Sequence, residues 1–110
     1  MTDRTRKQIM QPSDLKIEVI ITDLPDGNTM DDIDFNVRFS TPGSSVSKDK
    51  ASLVRIENEA GIGRYIACFS SKEVGKGDIL MTVSASIPDD AFAGGLRKDV
   101  VTVDTKVTVI

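Results

Sequence analysis

A chain of 110 residues supplies one hydrophobic core and no more. A net charge of −3 disfavours binding to nucleic acid, which needs clustered Lys and Arg to neutralise phosphate. With no His, no Trp and a single Cys, the composition argues against zinc, an internal disulfide and His-activated nucleophilic catalysis.

The first residues, "MTDRTRKQIMQPSD", lack the apolar stretch of a secretory signal, and no run is long enough to cross a membrane as a helix. They predict a flexible tail over residues 1–13, a single domain over 14–110, and a chain made and kept in a cytosol. The basic residues Arg4, Arg6 and Lys7 are the tail's one candidate docking feature, either a solvated end or a contact for an acidic partner surface.

From residue 14 onward the apolar pattern has a period of two. "DLKIEVIIT" sets Leu15, Ile17, Val19 and Ile21 against Lys16, Glu18 and Thr22. "LPDGN" then reads as a turn, with Pro25 presetting φ and Gly27 free to take a positive one. The stretch from Asp23 to Asp34 is rich in acids that suit calcium, but it lacks EF-hand spacing and reads equally as a solvated turn. "IDFNVRFS" alternates cleanly, with Ile33, Phe35, Val37 and Phe39 on one face. "TPGSS" is the next turn. "SLVRIEN" predicts Val54 and Ile56 inward, with Leu53 ambiguous. "GRYIACFS" places Tyr65, Ala67 and Phe69 on one face and Ile66 and Cys68 on the other, which predicts cover on both faces and a buried thiol. "SSKEVGKGD" reads as a loop with Val74 tucked beneath it. "DILMTVSASI" is a fifth strand, and "VVTVDTKVTVI" a sixth that points Val101, Val103, Val107 and Val109 inward. That last strand is long and Val-rich, and it either completes the domain or pairs within a larger assembly.

Between these two strands lies "IPDDAFAGGLRK". Pro88 suits the start of a helical turn, Asp89 and Asp90 its positive end, and Gly94 and Gly95 its left-handed exit. The stretch predicts one short helical turn near 88–93, with Phe92 sealing the end of the core. If Phe92 is exposed instead, Asp89, Asp90, Phe92 and Arg97 form the candidate partner-contact loop. The whole pattern predicts an all-β fold, an antiparallel immunoglobulin-like β-sandwich of six to seven strands, with a small barrel as the alternative.

The carboxylates and the Ser/Lys pairs show no catalytic spacing, so the chain reads as a non-enzyme with no catalytic, cofactor-binding or metal residues. Few aromatics are left over for stacking on sugars. "GRYIAC" differs from the tyrosine corner of immunoglobulin domains, because Tyr65 precedes Cys68 by three residues and no partner Cys exists.

Gly63 and Tyr65, the "GKG" of 75–77, the "IPD" of 87–89, Phe92, Gly95 with Arg97, and the valines of 100–103 occur together in residues 63–109. Together with the upstream "DFNVRFSTPG", this combination resembles a β-sandwich module of virion proteins from phages and prophages of gut Bacteroidetes. The resemblance implies a structural virion protein that anchors or attaches on a capsid, head fibre or tail. It implies partners that are the chain itself, as a dimer or trimer, and other virion proteins, with no nucleic acid, membrane, cofactor or small-molecule substrate. A bacterial cell-surface adhesin-type module binding protein or glycan is the alternative.

Overall fold

The computed structural model describes residues 6–21, 33–59 and 62–110. In chain order its strands are β1 (Lys7–Ile9), β2 (Asp14–Ile21), β3 (Asp34–Ser40), β4 (Ser45–Asp49), β5 (Val54–Glu59), β6 (Ile62–Ser70), β7 (Gly77–Pro88) and β8 (Leu96–Val109). A single α-helical turn, α1 (Ser71–Val74), joins β6 to β7. One sheet runs β1-β8-β7-β3-β4 and the other β2-β6-β5. Every pairing is antiparallel except that of β1 with β8.

This is the predicted immunoglobulin-like sandwich. Strands β2, β6 and β5 take the B-E-D places, β8, β7 and β3 the G-F-C places, and β4 adds a strand beside C. The first strand lies on β8, the G strand, and not on the B strand.

Alternation explains the core. Phe35, Val37 and Phe39 on β3 face Tyr65, Ala67 and Phe69 on β6, and all are buried. Phe35 meets Tyr65 edge-on at 5.0 Å, and Phe39 lies tilted on Phe69 at 4.5 Å. Val19, Ile33, Val74, Ile79 and Val109 complete the interior.

Eight strands replace the expected six to seven because β1 and β4 are too short or too polar to show a period. In β4, "SVSKD", Val46 is the one apolar residue, and the strand exists because the turn at 41–44 folds it onto β3. The turn closes with Thr41 N–H donating to the Ser44 carbonyl at 2.9 Å.

The N-terminal segment corrects the expectation of a free tail. Lys7, Gln8 and Ile9 pair with Val107, Thr108 and Val109, and Ile110 N–H donates to the Ile9 carbonyl at 2.8 Å. After a cis Gln11–Pro12 bond, Ser13 is clasped by Ser71. Ser71 N–H donates to the Ser13 carbonyl at 2.8 Å, and Ser13 N–H donates to the Ser71 hydroxyl at 2.9 Å. Ser71 is completely buried in α1. The expected loop at 70–78 holds this helical turn because Ser70 and Glu73 form a capping box, with Ser70 N–H donating to Glu73 at 2.8 Å. Val74 is buried beneath it, as expected.

Three local expectations are corrected. Cys68 is exposed, because the small sheet keeps one solvated face. Leu53 is buried while Val54 and Ile56 are exposed, with a register shift between Arg55 and Glu57 in β5. The helical turn near 88–93 is displaced: Pro88 still belongs to β7, and a short 3-10 turn forms over Ala93–Gly95. Asp89 opens that connection by accepting from Ala91 N–H at 3.0 Å, and Gly94 and Gly95 take the expected positive φ.

Candidate functional site: the outer end of the β7–β8 ribbon

Strands β7 and β8 are the longest among the described residues, with 12 and 14 residues. Their register pairs Met81 with Val103, Val83 with Val101, Ala85 with Asp99 and Ile87 with Arg97. Met81, Val83 and Ala85 also sit opposite Phe39, Val37 and Phe35 on β3, so this row continues the core-facing side of the large sheet. The small sheet does not follow it. Among the described residues, no strand continues that sheet beyond β2.

The consequence is an open groove of about 350 Å³ between Ile20 and Ile21 at the end of β2 and the inner face of β7 and β8. Its walls are apolar except for Arg97 and Asp99, which pair with each other at 3.4 Å. Val101 and Val103 point inward as the alternation predicts, yet they are 57% and 43% exposed because, among the described residues, the small sheet does not reach beneath them. On the opposite face Val100 is 58% and Leu96 54% exposed. Strand β8 therefore exposes apolar side chains on both faces, interspersed with Arg97, Lys98, Asp99, Thr102 and Asp104. Among the described residues β1 pairs with β8 only from Val107 onward, and Lys106 N–H donates to the Asp104 carboxylate at 2.9 Å.

The predicted contact residues gather at the tip of this ribbon. Phe92 is 49% exposed, so it does not seal the core. The connection folds back on itself instead of crossing the sandwich: Asp89 N–H donates to the Gly95 carbonyl at 2.9 Å, and Gly95 N–H to the Phe92 carbonyl at 2.9 Å. The ring is carried outward with it. Asp89 and Arg97 hold each other at 3.4 Å and shape the connection, while Asp90 is exposed at its apex.

The basic cluster is redistributed. Arg6 forks onto Asp104 with contacts of 2.7–2.8 Å and reaches Asp78 at 3.4 Å, so its charge is spent within the molecule. Lys7 is exposed on β1, and Arg4 lies outside the described residues.

Among the described residues, no group of three or more His, Cys, Asp or Glu is placed to hold a metal, and no helix is long and apolar enough to cross a membrane. The acidic stretch from Asp23 to Asp32 lies outside the described residues. Asp49 sits well away in sequence, at the end of β4. Its carboxyl is held below the ordinary value by the Ser52 hydroxyl at 2.5 Å and by Ser52 N–H at 3.0 Å, the work of a turn cap.

The exposed valines on both faces of β8 were foreshadowed by the run "VVTV", where alternation lapses. Comparison with protein-family models, with curated proteins and with solved structures finds no match to this chain.

Proposed function

We propose that the chain is a non-enzymatic structural protein of a bacteriophage virion, an anchoring or attachment module on the capsid, head fibre or tail. It is made in the bacterial cytoplasm and acts by assembling with itself and with other virion proteins. The observation that carries this reading is the exposure of Leu96 and Val100 on one face of β8 and of Val101 and Val103 on the other, along a ribbon that extends past the smaller sheet. Exposed apolar side chains gathered along one strand are a common mark of an interaction surface. The virion setting draws its support from the resemblance over residues 63–109.

The test is mass spectrometry of particles purified by density gradient from a host culture that expresses the chain. The expected result is co-purification with the capsid and tail proteins at a fixed ratio. Recovery in the envelope fraction, with none in particles, would refute the virion reading.

A further inference from the structure

We infer that residues 6–9 form a strap that opens as a unit while Ser13 stays anchored, and that the clip of Arg6 on Asp104 and Asp78 sets how often it opens. Opening strips β1 from Val107, Thr108 and Val109, so the strap controls access to the C-terminal end of β8. The device does not depend on the virion setting.

The two ends of the N-terminal segment are fastened by different forces. At the far end Ser71, completely buried, donates its N–H to the Ser13 carbonyl and accepts the Ser13 N–H on its hydroxyl. The Gln11 side-chain amide adds a bond to the Ser71 carbonyl at 3.3 Å, and the Ser13 hydroxyl holds the Met10 carbonyl at 2.5 Å. Releasing this anchor leaves buried donors and acceptors unpaired, at a cost that salt does not relieve. The near end has little of that kind. Strand β1 is three residues long, Lys7 and Gln8 are exposed, and Ile9 alone of the three packs on the core. A short edge strand with so little buried apolar contact belongs to the low-stability end of local opening. The Met10 side chain, between the two ends, is exposed, so a hinge there disturbs no packing.

Charge holds the strap shut. The Arg6 side chain is only 14% exposed, and its receptor is built into β7 and β8. The pairing of those strands shifts register between Asp78 and Leu80, and beside that shift Lys106 takes a φ of +62°, a left-handed conformation that residues other than Gly rarely adopt. This bend turns Lys106 N–H onto the Asp104 carboxylate at 2.9 Å, and the Thr108 hydroxyl donates to Asp78 at 2.7 Å. Both carboxylates are thus oriented by β8 itself, which lets Arg6 fork onto Asp104 with little further ordering. A strained residue that aims a carboxylate at the strap points to the clip as the purpose of the bend. The Asp78 and Asp104 side chains are 60% and 36% exposed, so salt reaches the clip and weakens it.

The experiment is amide hydrogen exchange of the full chain, followed by NMR over a series of low urea concentrations. Ile110 N–H, bonded to the Ile9 carbonyl, reports the strap; Ser71 N–H, bonded to the Ser13 carbonyl, reports the anchor; the amides of β3 report global unfolding. Ile110 is expected to exchange at least about tenfold faster than Ser71 and β3, with almost no dependence on urea, because opening three residues exposes little surface. Its rate should rise at least about threefold between roughly 0.05 and 0.5 M sodium chloride. Arg6→Gln should raise the Ile110 rate at least about tenfold and abolish that salt response. An Ile110 amide with the urea dependence of β3 would mean that the strap opens only with the whole fold. A Ser71 amide as fast and as urea-independent as Ile110 would remove the anchor, and an Ile110 rate indifferent to Arg6→Gln, or still salt-dependent in that variant, would remove the clip. Each of these results overturns the inference.

Discussion

Removing the Phe92 ring should cost far less than removing the Phe39 ring. Phe39 is fully buried and stacked on Phe69, so Phe39→Ala forfeits the ring's transfer energy and leaves a cavity, about 3–5 kcal/mol together. Phe92 is 49% exposed at the ribbon tip, with solvent free to fill the space it leaves. Fully burying a Phe side chain stabilises by roughly 1.5–3 kcal/mol, so a half-exposed one contributes about half of that and no cavity follows, roughly 0.7–1.5 kcal/mol. The assay is a urea melt of both variants at low micromolar protein, where association adds nothing to apparent stability. With an m-value of about 2 kcal/mol/M, the midpoint should fall by about 2 M for Phe39→Ala and by about 0.5 M for Phe92→Ala. A Phe92→Ala shift as large as that of Phe39→Ala would mean that the ring is buried, and the description of an outward-facing tip would be wrong.

Ser71→Ala should destabilise by about 1–3 kcal/mol, because it leaves the part-buried Ser13 N–H without its acceptor; faster hydrogen exchange at Ser13 is the accompanying readout. Gly77→Ala should cost more than Gly94→Ala in thermal melts. A Cβ at Gly77 meets Pro42 Cδ at 2.8 Å on top of a φ of +124°, whereas Gly94 has only its φ of +84° and open space around it, a backbone cost of about 1–2 kcal/mol. Asp49→Ala should be penalised at neutral pH and not in acid. The carboxyl's folded pKa is lowered, so its contribution is present above the ordinary value of 3.8 and is lost as pH falls through the lowered one. Melts of wild type and variant from pH 7 to pH 2 should converge, and a constant gap would refute the cap.

The strands that formed the core were the most legible part of the sequence, for a physical reason. In β3 every second side chain is apolar and every other one polar, so one phase buries Phe35, Val37 and Phe39 and the other buries Asp34, Asn36 and Arg38. Where a second force entered, the period misled. At the start of β5 the alternation runs in the opposite phase, with Leu53 buried and Val54 and Ile56 exposed, and no residue type in "SLVRIEN" marks which phase is taken. The helical turn α1 was written in plain sight as Ser70 and Glu73 three residues apart, a capping box without the apolar run that normally draws attention to one. Phe92 misled because a lone aromatic between acids and glycines has no periodic context. Whether it turns in or out is decided by the path of the connection, and that is set by the Asp89–Gly95 hydrogen bond across it.

The same distinction applies to the candidate site. Alternation in "VVTVD" correctly assigns Val101 and Val103 to the inner face of the large sheet, but an inner face is buried only where the opposite sheet reaches it. The five-stranded sheet is wider than its three-stranded partner, and the first strand lies on β8 and not on β2. Strand β1 thereby shapes the surface it does not cover: it closes the last residues of the β8 edge, and the Arg6–Asp104 fork holds it there. Arg6, which read as part of a docking tail in the sequence, serves instead as the clip that holds β1 against β8.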